Sequence, residues 1–198
     1  WHLAHTTWFF ERFVLMRAAA YRPRDLAWHY LFNSYYQTVG PMHERPRRGL
    51  LSRPSLAEVL DYRRRVDEAM EDRLALHGDT ALPAIVELGL HHEQQHQELL
   101  LTDIKHALWS QPLRPAYVAR AVEPWRSESP SLRFITGREG IVHIGHAGDG
   151  FAFDNEMPRH KQWLAPHALA NRPVTNAEYR AFIDDGGYRD ATLWLDDG

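Results

Sequence analysis

The sequence contains no cysteine, so it can form neither a disulfide framework nor a cysteine nucleophile. This absence fits a reducing compartment, and we expect a cytoplasmic protein. No apolar run approaches the roughly 20 residues of a membrane-spanning helix, and no signal peptide is visible. The sequence therefore predicts neither a disulfide-rich secreted domain nor a membrane protein.

The chain also lacks a strong net charge. Its formal net charge is -3 and its isoelectric point is about 6.5, so it offers no basic field for phosphates. Arg45, Arg47 and Arg48 form a patch too short to predict nucleic-acid binding. With 198 residues, 44% of them apolar and 25% charged, the chain is long enough for one large or two small globular domains. It starts inside a helical pattern and stops without a closing element, so we expect an internal piece of a longer protein.

The first part of the chain has helical periodicity. Residues 1–20 contain no glycine or proline, and large side chains gather on one side at 100° per residue. A capping box of Ser55 with Glu58 predicts the start of a second long helix, and a third runs to about Trp109. Long helices joined by loops predict a helical bundle over residues 1–110.

The pattern changes after residue 110. Residues 111–132 carry four prolines and predict a linker. Beyond them, short alternating segments broken by glycine and aspartate predict strands and turns, and Thr175 with Glu178 predicts a capped short helix. We therefore expect residues 133–198 to begin an α+β domain.

Histidine is the residue type whose placement points to a function. Nine of the 13 histidines precede residue 110, and residues 92–96 read as H-E-x-x-H. Histidines at i and i+4 on a helix stand about 6 Å apart along its axis, so the imidazoles of His92 and His96 can converge on one metal ion. The alternative is that one or both are surface or core histidines with backbone partners.

Two kinds of metal site are compatible with this pair. A zinc metalloprotease needs Glu93 as general base and a third metal ligand further downstream. The extended H-E-x-x-H-x-x-G-x-x-H motif is not continued after His96, so Glu123 or Glu128 in the linker would have to be that ligand. An upstream ligand from the first helix, His2 or His5, would give a three-histidine site. Such a site leaves about three positions open on an octahedral ion, which suits Fe(II) that binds substrates and O2 together.

Six segments of the chain, taken in order, carry a family resemblance. They are "WHLAHTTWFFE", "YLFNSYYQTVG", "RGLLSRPSLAEV", "HHEQQHQELLLTDIKHAL", "GHAGDGFAFDNEMPRHK" and "ANRPVTNAEYRAFIDDGGY". Together they resemble the ergothioneine-biosynthesis sulfoxide synthases. The resemblance implies a DinB-like four-helix bundle, the linker, and the N-terminal part of a formylglycine-generating-enzyme-like domain with a C-type-lectin-like fold. It also implies a non-heme iron site, whose ligands would be His5, His92 and His96.

The resemblance implies a reaction as well. Enzymes of this family join a thiol, cysteine or γ-glutamylcysteine, to C2 of the imidazole of hercynine (N-α-trimethylhistidine), using O2 and oxidising the sulfur to a sulfoxide. The family's catalytic tyrosine lies in a later part of the second domain, beyond residue 198. We therefore expect these residues alone to bind metal but to turn over poorly.

The same resemblance suggests residues for substrate binding. Gln95 matches the family's glutamine before the last ligand, where its amide would hold the substrate imidazole; an ordinary polar helix residue is the alternative. Arg45 and Arg48 would clamp the carboxylate of the thiol, because guanidinium groups bind carboxylates bidentately, or they would form a solvated basic loop. A trimethylammonium group would favour an aromatic wall. Its candidates are Trp8, Tyr35 and Tyr36.

Other functions stay open on the sequence alone. A selenoneine synthase would use a selenosugar with the same iron site, and a DinB-like thiol transferase would use a divalent metal as a Lewis acid without redox chemistry. A zinc metalloprotease is the literal interpretation of H-E-x-x-H, and a non-enzymatic ligand-binding protein would leave the histidines without metal. Consumption of O2 separates the iron enzyme from the transferase.

Overall fold

The computed structural model of the chain describes residues 1–34, 36–76, 78–119 and 129–195. The chain divides into two compact units, Trp1–Ala119 and Arg120–Gly198. The first unit is helical, and the second combines short antiparallel strands with a helix, so the predicted order of a helical part followed by an α+β part is confirmed. Among the helices of the described ranges, none is both long and apolar enough to cross a membrane.

Long and short helices form the frame of the first unit. They are α1 (His2–Phe13), α2 (Leu26–Phe32), α3 (Leu56–Ala75) and α4 (Leu82–Ser110). The predicted capping box at the start of α3 is present, because the Ser55 side chain accepts from the Glu58 backbone and the Glu58 carboxylate accepts from the Ser55 backbone. The end of α4 lies one residue beyond the predicted Trp109.

The first helix is shorter than the predicted span of residues 1–20. It ends at Phe13, with Val14 as its C-terminal cap, and a 3-10 turn follows at Leu15–Arg17. Aromatic and β-branched residues have weak helix propensity, and the side chains of Val14 and Leu15 are buried in the core. The helix thus ends where Val14 and Leu15 enter the core, earlier than its periodicity predicts.

Helix α1 lies at the centre of the core. Its Ala4, Trp8 and Phe9 are buried, and α2, α3 and α4 all pack against it. The surrounding elements contribute Trp28, Phe32, Val59, Tyr62, Val66, Met70 and Leu82 to the same cluster. Burial of each large apolar side chain contributes about 1.5–3 kcal/mol, so the cluster holds α1 firmly in place.

Helix α4 approaches α1 closely at Gly89. A Cβ atom at this position would lie 2.5 Å from Cε1 of Phe10 and 3.0 Å from Cε1 of Phe9. Glycine therefore permits an approach that any larger residue would allow only by displacing aromatic rings. Because Gly89 precedes His92 by three positions, the approach brings the histidine-bearing face of α4 against α1.

A buried carboxylate connects α1 to two tyrosines. Glu11 is 1% exposed; its Oε1 accepts from the Tyr21 hydroxyl at 2.9 Å and its Oε2 from the Tyr62 hydroxyl at 2.6 Å. Burial, together with the charge of Glu11, raises the pKa of both tyrosines, so both hydroxyls keep their protons. His29 lies beside the same carboxylate, with Nε2 at 3.7 Å from Oε2, and its Nδ1 accepts from the Trp8 indole at 2.8 Å.

The described part of the second unit contains antiparallel strand pairs and a helix. The pairs are β1 (Phe134–Thr136) with β4 (Ala168–Ala170), and β2 (Gly140–Ile144) with β3 (His160–Leu164). Helix α5 (Asn176–Asp184) starts at the predicted capping box of Thr175 and Glu178. Arg172 donates to both oxygens of the Glu178 carboxylate at 2.7 and 2.8 Å, which anchors the start of this helix.

Candidate metal centre

Three histidines from α1 and α4 converge in the first unit. His5 is buried, His92 and His96 are half-buried, and one ring nitrogen of each lies within 4.8 Å of those of the other two. Nε2 of His5 is 3.2 Å from Nε2 of His92. The structure therefore brings together the three residues that the family resemblance implied as ligands.

The helix geometry explains this convergence. His92 and His96 are four residues apart on the continuous helix α4, so both side chains leave the same face. His5 comes from α1, which packs on that face beside Gly89. The imidazole centroids of His5 lie 4.9 Å from that of His92 and 4.7 Å from that of His96, and the two α4 rings are 4.7 Å apart.

A backbone carbonyl sets the tautomer of His5. Its Nδ1 lies 2.6 Å from the carbonyl oxygen of Phe32, the last residue of α2. Because a carbonyl oxygen can only accept, Nδ1 carries the ring proton and Nε2 keeps its lone pair. The lone pair of His5 is thus on the nitrogen that faces His92.

All three imidazoles are held in their neutral form near pH 7. Burial is the main cause that lowers the pKa of His5 to about 3; the charges of His92 and His96 act in the same direction, and the hydrogen bond to the Phe32 carbonyl opposes them. Burial also lowers the pKa of His96 to about 4, and it lowers the pKa of His92. Since metal ions bind the neutral imidazole, all three rings can act as ligands without first losing a proton.

The spacing of the His5 and His92 nitrogens fits one bound ion. Two nitrogens that bind an ion at about 2.1 Å lie about 3.0 Å apart at a right angle and about 3.4 Å apart at the tetrahedral angle. The separation of 3.2 Å between His5 and His92 falls between these values. Imidazole suits zinc, copper, iron and nickel, so the donor set fits a transition metal without selecting one.

A cavity of about 480 Å³ opens beside the three histidines. Its wall includes Gln95, Arg45 and Arg48, the residues predicted to bind substrate. The other lining residues are Trp1, His2, Ser34, Tyr36, Leu99 and Asp103. Binding sites for small molecules measure about 300–1,000 Å³, so the cavity has the volume for a small organic substrate.

The two arginines reach the cavity from one 3-10 turn, Arg45–Leu50. Residues three apart lie on the same side of such a turn, so Arg45 and Arg48 face the cavity together. The guanidinium of Arg48 lies 3.9 Å from the Trp1 ring centroid, and its Nη2 donates to Oγ of Ser34 at 3.0 Å. Arg48 is therefore held in place by the protein itself.

Trp1 was given no role from the sequence, yet it connects the arginine to the histidines. Its ring stacks on the His5 imidazole with centroids 4.5 Å apart, and the Arg48 guanidinium lies over the same ring in a cation–π contact. The only signal for this role is that Trp1 lies four residues before His5, which places both on one helical face. Ser34, which also contacts Arg48, has no such signal.

The three candidates for an aromatic wall have different positions. Tyr36 lines the cavity. Trp8 is fully buried in the core, so the candidate role in the cavity wall is wrong for this residue. Tyr35 lies outside the described residues, as do the alternative downstream ligands Glu123 and Glu128.

Glu93, the acid of H-E-x-x-H, pairs with α3. Its carboxylate lies 2.8 Å from Nη2 of Arg63, and Nη1 of Arg63 also donates to Oγ1 of Thr6 at 3.4 Å. The residues that line the cavity do not include Glu93. Its surroundings are those of an ion pair between helices, whereas a general base has to reach the reacting group.

Known proteins similar to this chain include several named hercynine oxygenase. The chain is 32% identical over its whole length to the one from Mycolicibacterium thermoresistibile, of which it covers 43%. It is 28% identical to the one from Mycobacterium tuberculosis, over 79% of this chain and 36% of the relative. With the one from Mycolicibacterium smegmatis it shares 30% identity over 54% of this chain and 24% of the relative. The chain thus spans less than half the length of these relatives.

The second unit matches a domain family of its own. Residues 125–197 match the Sulfatase-modifying factor enzyme 1-like domain. This match covers the region that was predicted to resemble a formylglycine-generating enzyme. Both findings confirm the family resemblance predicted from the sequence, and the similarity to hercynine oxygenases extends over the whole length of the chain.

Proposed function

We propose that the chain carries the metal site and part of the substrate site of an Fe(II)- and O2-dependent enzyme of ergothioneine biosynthesis. This enzyme joins cysteine or γ-glutamylcysteine to hercynine and oxidises the sulfur to a sulfoxide. The proposal is carried by the convergence of three neutral histidines beside a cavity that two arginines also line. Similarity to hercynine oxygenases over the whole chain supports it.

The proposed metal ligands are His5, His92 and His96. A three-histidine set leaves about three positions of an octahedral ion open, as an enzyme that binds two substrates and O2 together requires. Iron, when bound there, supplies the redox chemistry with O2. In the overall reaction the C2–H and S–H bonds break, a C–S bond forms, and the oxygen atoms of O2 end in the sulfoxide and one water molecule.

The chain's own side chains would bind and orient the substrates. Arg45 and Arg48 are proposed to bind the carboxylate of the thiol, and contacts of Arg48 with Ser34 and Trp1 orient its guanidinium before substrate arrives. A carboxylate clamp favours an amino-acid thiol over a selenosugar, which carries no carboxylate. Gln95 is proposed to contact the imidazole of hercynine through its side-chain amide. Tyr36 is proposed to form an aromatic wall for the trimethylammonium group of hercynine.

We assign the regions of the chain accordingly. Residues 1–110 would form a DinB-like four-helix bundle, 111–132 a linker, and 133–198 the N-terminal part of a formylglycine-generating-enzyme-like domain with a C-type-lectin-like fold. The helices of the first unit and the family match of residues 125–197 support this assignment. Residues 120–128 of the linker lie outside the described residues. The cytoplasmic location stays a prediction.

Metal analysis tests the proposed site. The full chain is prepared without oxygen, offered Fe(II) or Zn(II) in separate samples, and analysed by elemental mass spectrometry beside His5→Ala and His92→Ala. His106→Ala is the matched control, because His106 is an exposed histidine on the same helix, α4. We expect iron near one per chain in the wild type and the control, and its loss from both ligand variants. Zinc binding that His5→Ala leaves unchanged would contradict the proposal and favour the metalloprotease.

Oxygen uptake separates the proposed enzyme from a DinB-like thiol transferase, which would use the same ligands without redox chemistry. The iron-loaded chain is mixed with hercynine and γ-glutamylcysteine in an oxygen electrode. We expect slow uptake that requires both substrates and disappears in His92→Ala. Transfer of the thiol without any uptake of O2 would identify the transferase instead.

A further inference from the structure

His96 has a partner outside the proposed ligand set. Its Nδ1 lies 2.9 Å from Nδ1 of His2, and Nε2 of His2 lies 2.8 Å from Oδ2 of Asp103. His2 opens α1, whereas Asp103 stands seven residues after His96 on the same face of α4. The contacts therefore form a chain from one proposed ligand, through a histidine of the other helix, to a carboxylate.

With His2 in its neutral form, the chemistry of these groups fixes where the protons are. The ionised carboxylate of Asp103 can only accept, so Nε2 of His2 carries the ring proton and Nδ1 of a neutral His2 accepts. Nδ1 of His96 must then donate, which leaves the lone pair of His96 on Nε2. Metal-bound histidines are commonly fixed in this way by a second partner on the other ring nitrogen.

We propose that His2 and Asp103 are a positioning pair, which fixes His96 in the Nδ1–H tautomer and orients its Nε2 for metal binding. The inference rests on the proposed metal site and adds two residues to it. The Phe32 carbonyl does the same for His5, whereas Nδ1 of His92 has no hydrogen-bond partner among the described residues. Two of the three proposed ligands thus have a hydrogen-bond partner on Nδ1, the ring nitrogen proposed not to bind the metal, and the two partners differ in kind.

Stability alone does not account for the pair. The side chain of Asp103 is 68% exposed and that of His2 is 18% exposed. Ion pairs with one partner so exposed contribute little to folding. By contrast, loss of a residue that hydrogen-bonds to a metal ligand typically weakens metal binding by about 10–100-fold. We therefore expect substitution of His2 or Asp103 to change the affinity for metal more than the stability of the fold.

The tautomer can be measured in the metal-free protein. The nitrogen-15 shifts of the His96 imidazole report which ring nitrogen carries the proton, and we compare the wild type with His2→Ala, Asp103→Ala and His106→Ala. We expect the Nδ1–H form in the wild type and in His106→Ala, and a shift towards the Nε2–H form in the other two variants. An Nε2–H form in the wild type would overturn the inference.

Metal affinity gives a second measurement. The dissociation constant of Fe(II) is determined without oxygen by competition with a chelator, for the same set of full-chain proteins. We expect His2→Ala and Asp103→Ala to bind about 10–100-fold more weakly than the wild type, with His106→Ala unchanged. In His2→Asn the amide oxygen can replace Nδ1 as the acceptor, so this variant should recover affinity relative to His2→Ala, which a purely structural role of His2 does not predict.

The outcomes separate this inference from the proposed function. If the wild type binds Fe(II) and the variants at His2 and Asp103 bind equally well, the positioning pair is wrong while the three-histidine site stands. If the wild type binds no Fe(II), both proposals fail together. Because Asp103 is exposed, its substitution tests the inference even if His2→Ala fails to fold.

Discussion

The carbonyl oxygen of Phe32, at the end of α2, lies 2.6 Å from Nδ1 of His5 on α1. Directly after Phe32, the side chain of Asn33 donates to the carbonyl of Gly40 at 3.0 Å, which anchors the following loop at the same point. Tyr36 of this loop lines the cavity. The orientation of one proposed ligand and one wall of the cavity therefore depend on the same short stretch of backbone.

The close approach at Gly89 leads to a first prediction. In Gly89→Ala the new methyl group has to displace the ring of Phe10. Overpacking of this kind costs about 1–3 kcal/mol, against about 1 kcal/mol that alanine gains in helix propensity. We expect a net loss of up to about 2 kcal/mol by urea denaturation, and weaker Fe(II) binding, because α1 and α4 move apart.

Gly49→Ala is the control for this prediction. No heavy atom lies within 4 Å of a Cβ built at Gly49, so its stability should change by less than about 0.5 kcal/mol. Equal stability and equal Fe(II) affinity of the Gly89 and Gly49 variants would show that the helix approach does not constrain the site.

The depressed pKa values of the histidines predict how stability depends on pH. The pKa of His5 falls from its ordinary value of 6.5 to about 3 on folding, so between these values the unfolded chain binds more protons than the folded one. The stability of the metal-free protein should therefore be full above about pH 6.5 and fall as the pH is lowered towards 3. Each such histidine contributes a slope of at most about 1.4 kcal/mol per pH unit.

Urea unfolding in the presence of a chelator, from pH 8 to pH 5, measures this slope. His5→Asn is the comparison, since an asparagine amide does not titrate and places a donor near the position of Nδ1, from which it can still donate to the Phe32 carbonyl. We expect the variant to have the smaller slope. The same slope in both proteins would contradict the assignment of a neutral, buried His5.

The hydrogen bonds of the buried Glu11 carboxylate lead to a prediction about the free energy of unfolding, at a place away from the cavity. In Tyr62→Phe this buried carboxylate loses the hydroxyl that lies 2.6 Å from its Oε2. Hydrogen bonds to charged groups contribute about 1.5–3 kcal/mol, and we expect a loss of this size in the free energy of unfolding. Tyr30→Phe, at a tyrosine that is 42% exposed, should change it by less than about 0.5 kcal/mol. A loss for Tyr62→Phe as small as that of the control would contradict the prediction.

Because Glu93, the glutamate of H-E-x-x-H, forms an ion pair with Arg63, we can predict how its substitution changes stability and metal binding. Both side chains are partly exposed, so Glu93→Gln should change stability by about 1 kcal/mol or less. It should leave the affinity for Fe(II) close to that of the wild type, whereas His92→Ala abolishes binding. A zinc-loaded wild type that cleaves peptides, with activity lost in Glu93→Gln, would show that Glu93 is a general base after all.

Local rules of helix formation could be predicted from the sequence. The capping boxes at Ser55 and Thr175 depend on residues three positions apart, and both are present. The pairing of His92 with His96 depends only on helical periodicity, and the structure confirms that the two imidazoles converge. His5 was singled out among the upstream histidines by family resemblance, because periodicity alone left His2 equally eligible.

Features that depend on distant neighbours could not be predicted. Trp1 and Trp8 are on the same side of the first helix by periodicity, yet Trp1 lines the cavity and Trp8 is buried against α2. Their different surroundings depend on how the other helices pack, which helical periodicity does not record. The burial of Glu11 runs against the usual exposure of carboxylates. Its partner Tyr62 is 51 residues away in the chain, and no short motif records such a contact.

The convergence of α1 and α4 has a topological consequence. His5 and His92 are 87 positions apart in sequence, so an ion held by both would act as a reversible cross-link that encloses α2, α3 and the arginine-bearing turn. A covalent link that closes a loop of this size restricts the unfolded chain by about 4–5 kcal/mol in the chain-entropy account. Loss of the ion would therefore lower the free energy of unfolding of the whole segment between the two helices, including the wall on which the substrate is proposed to bind.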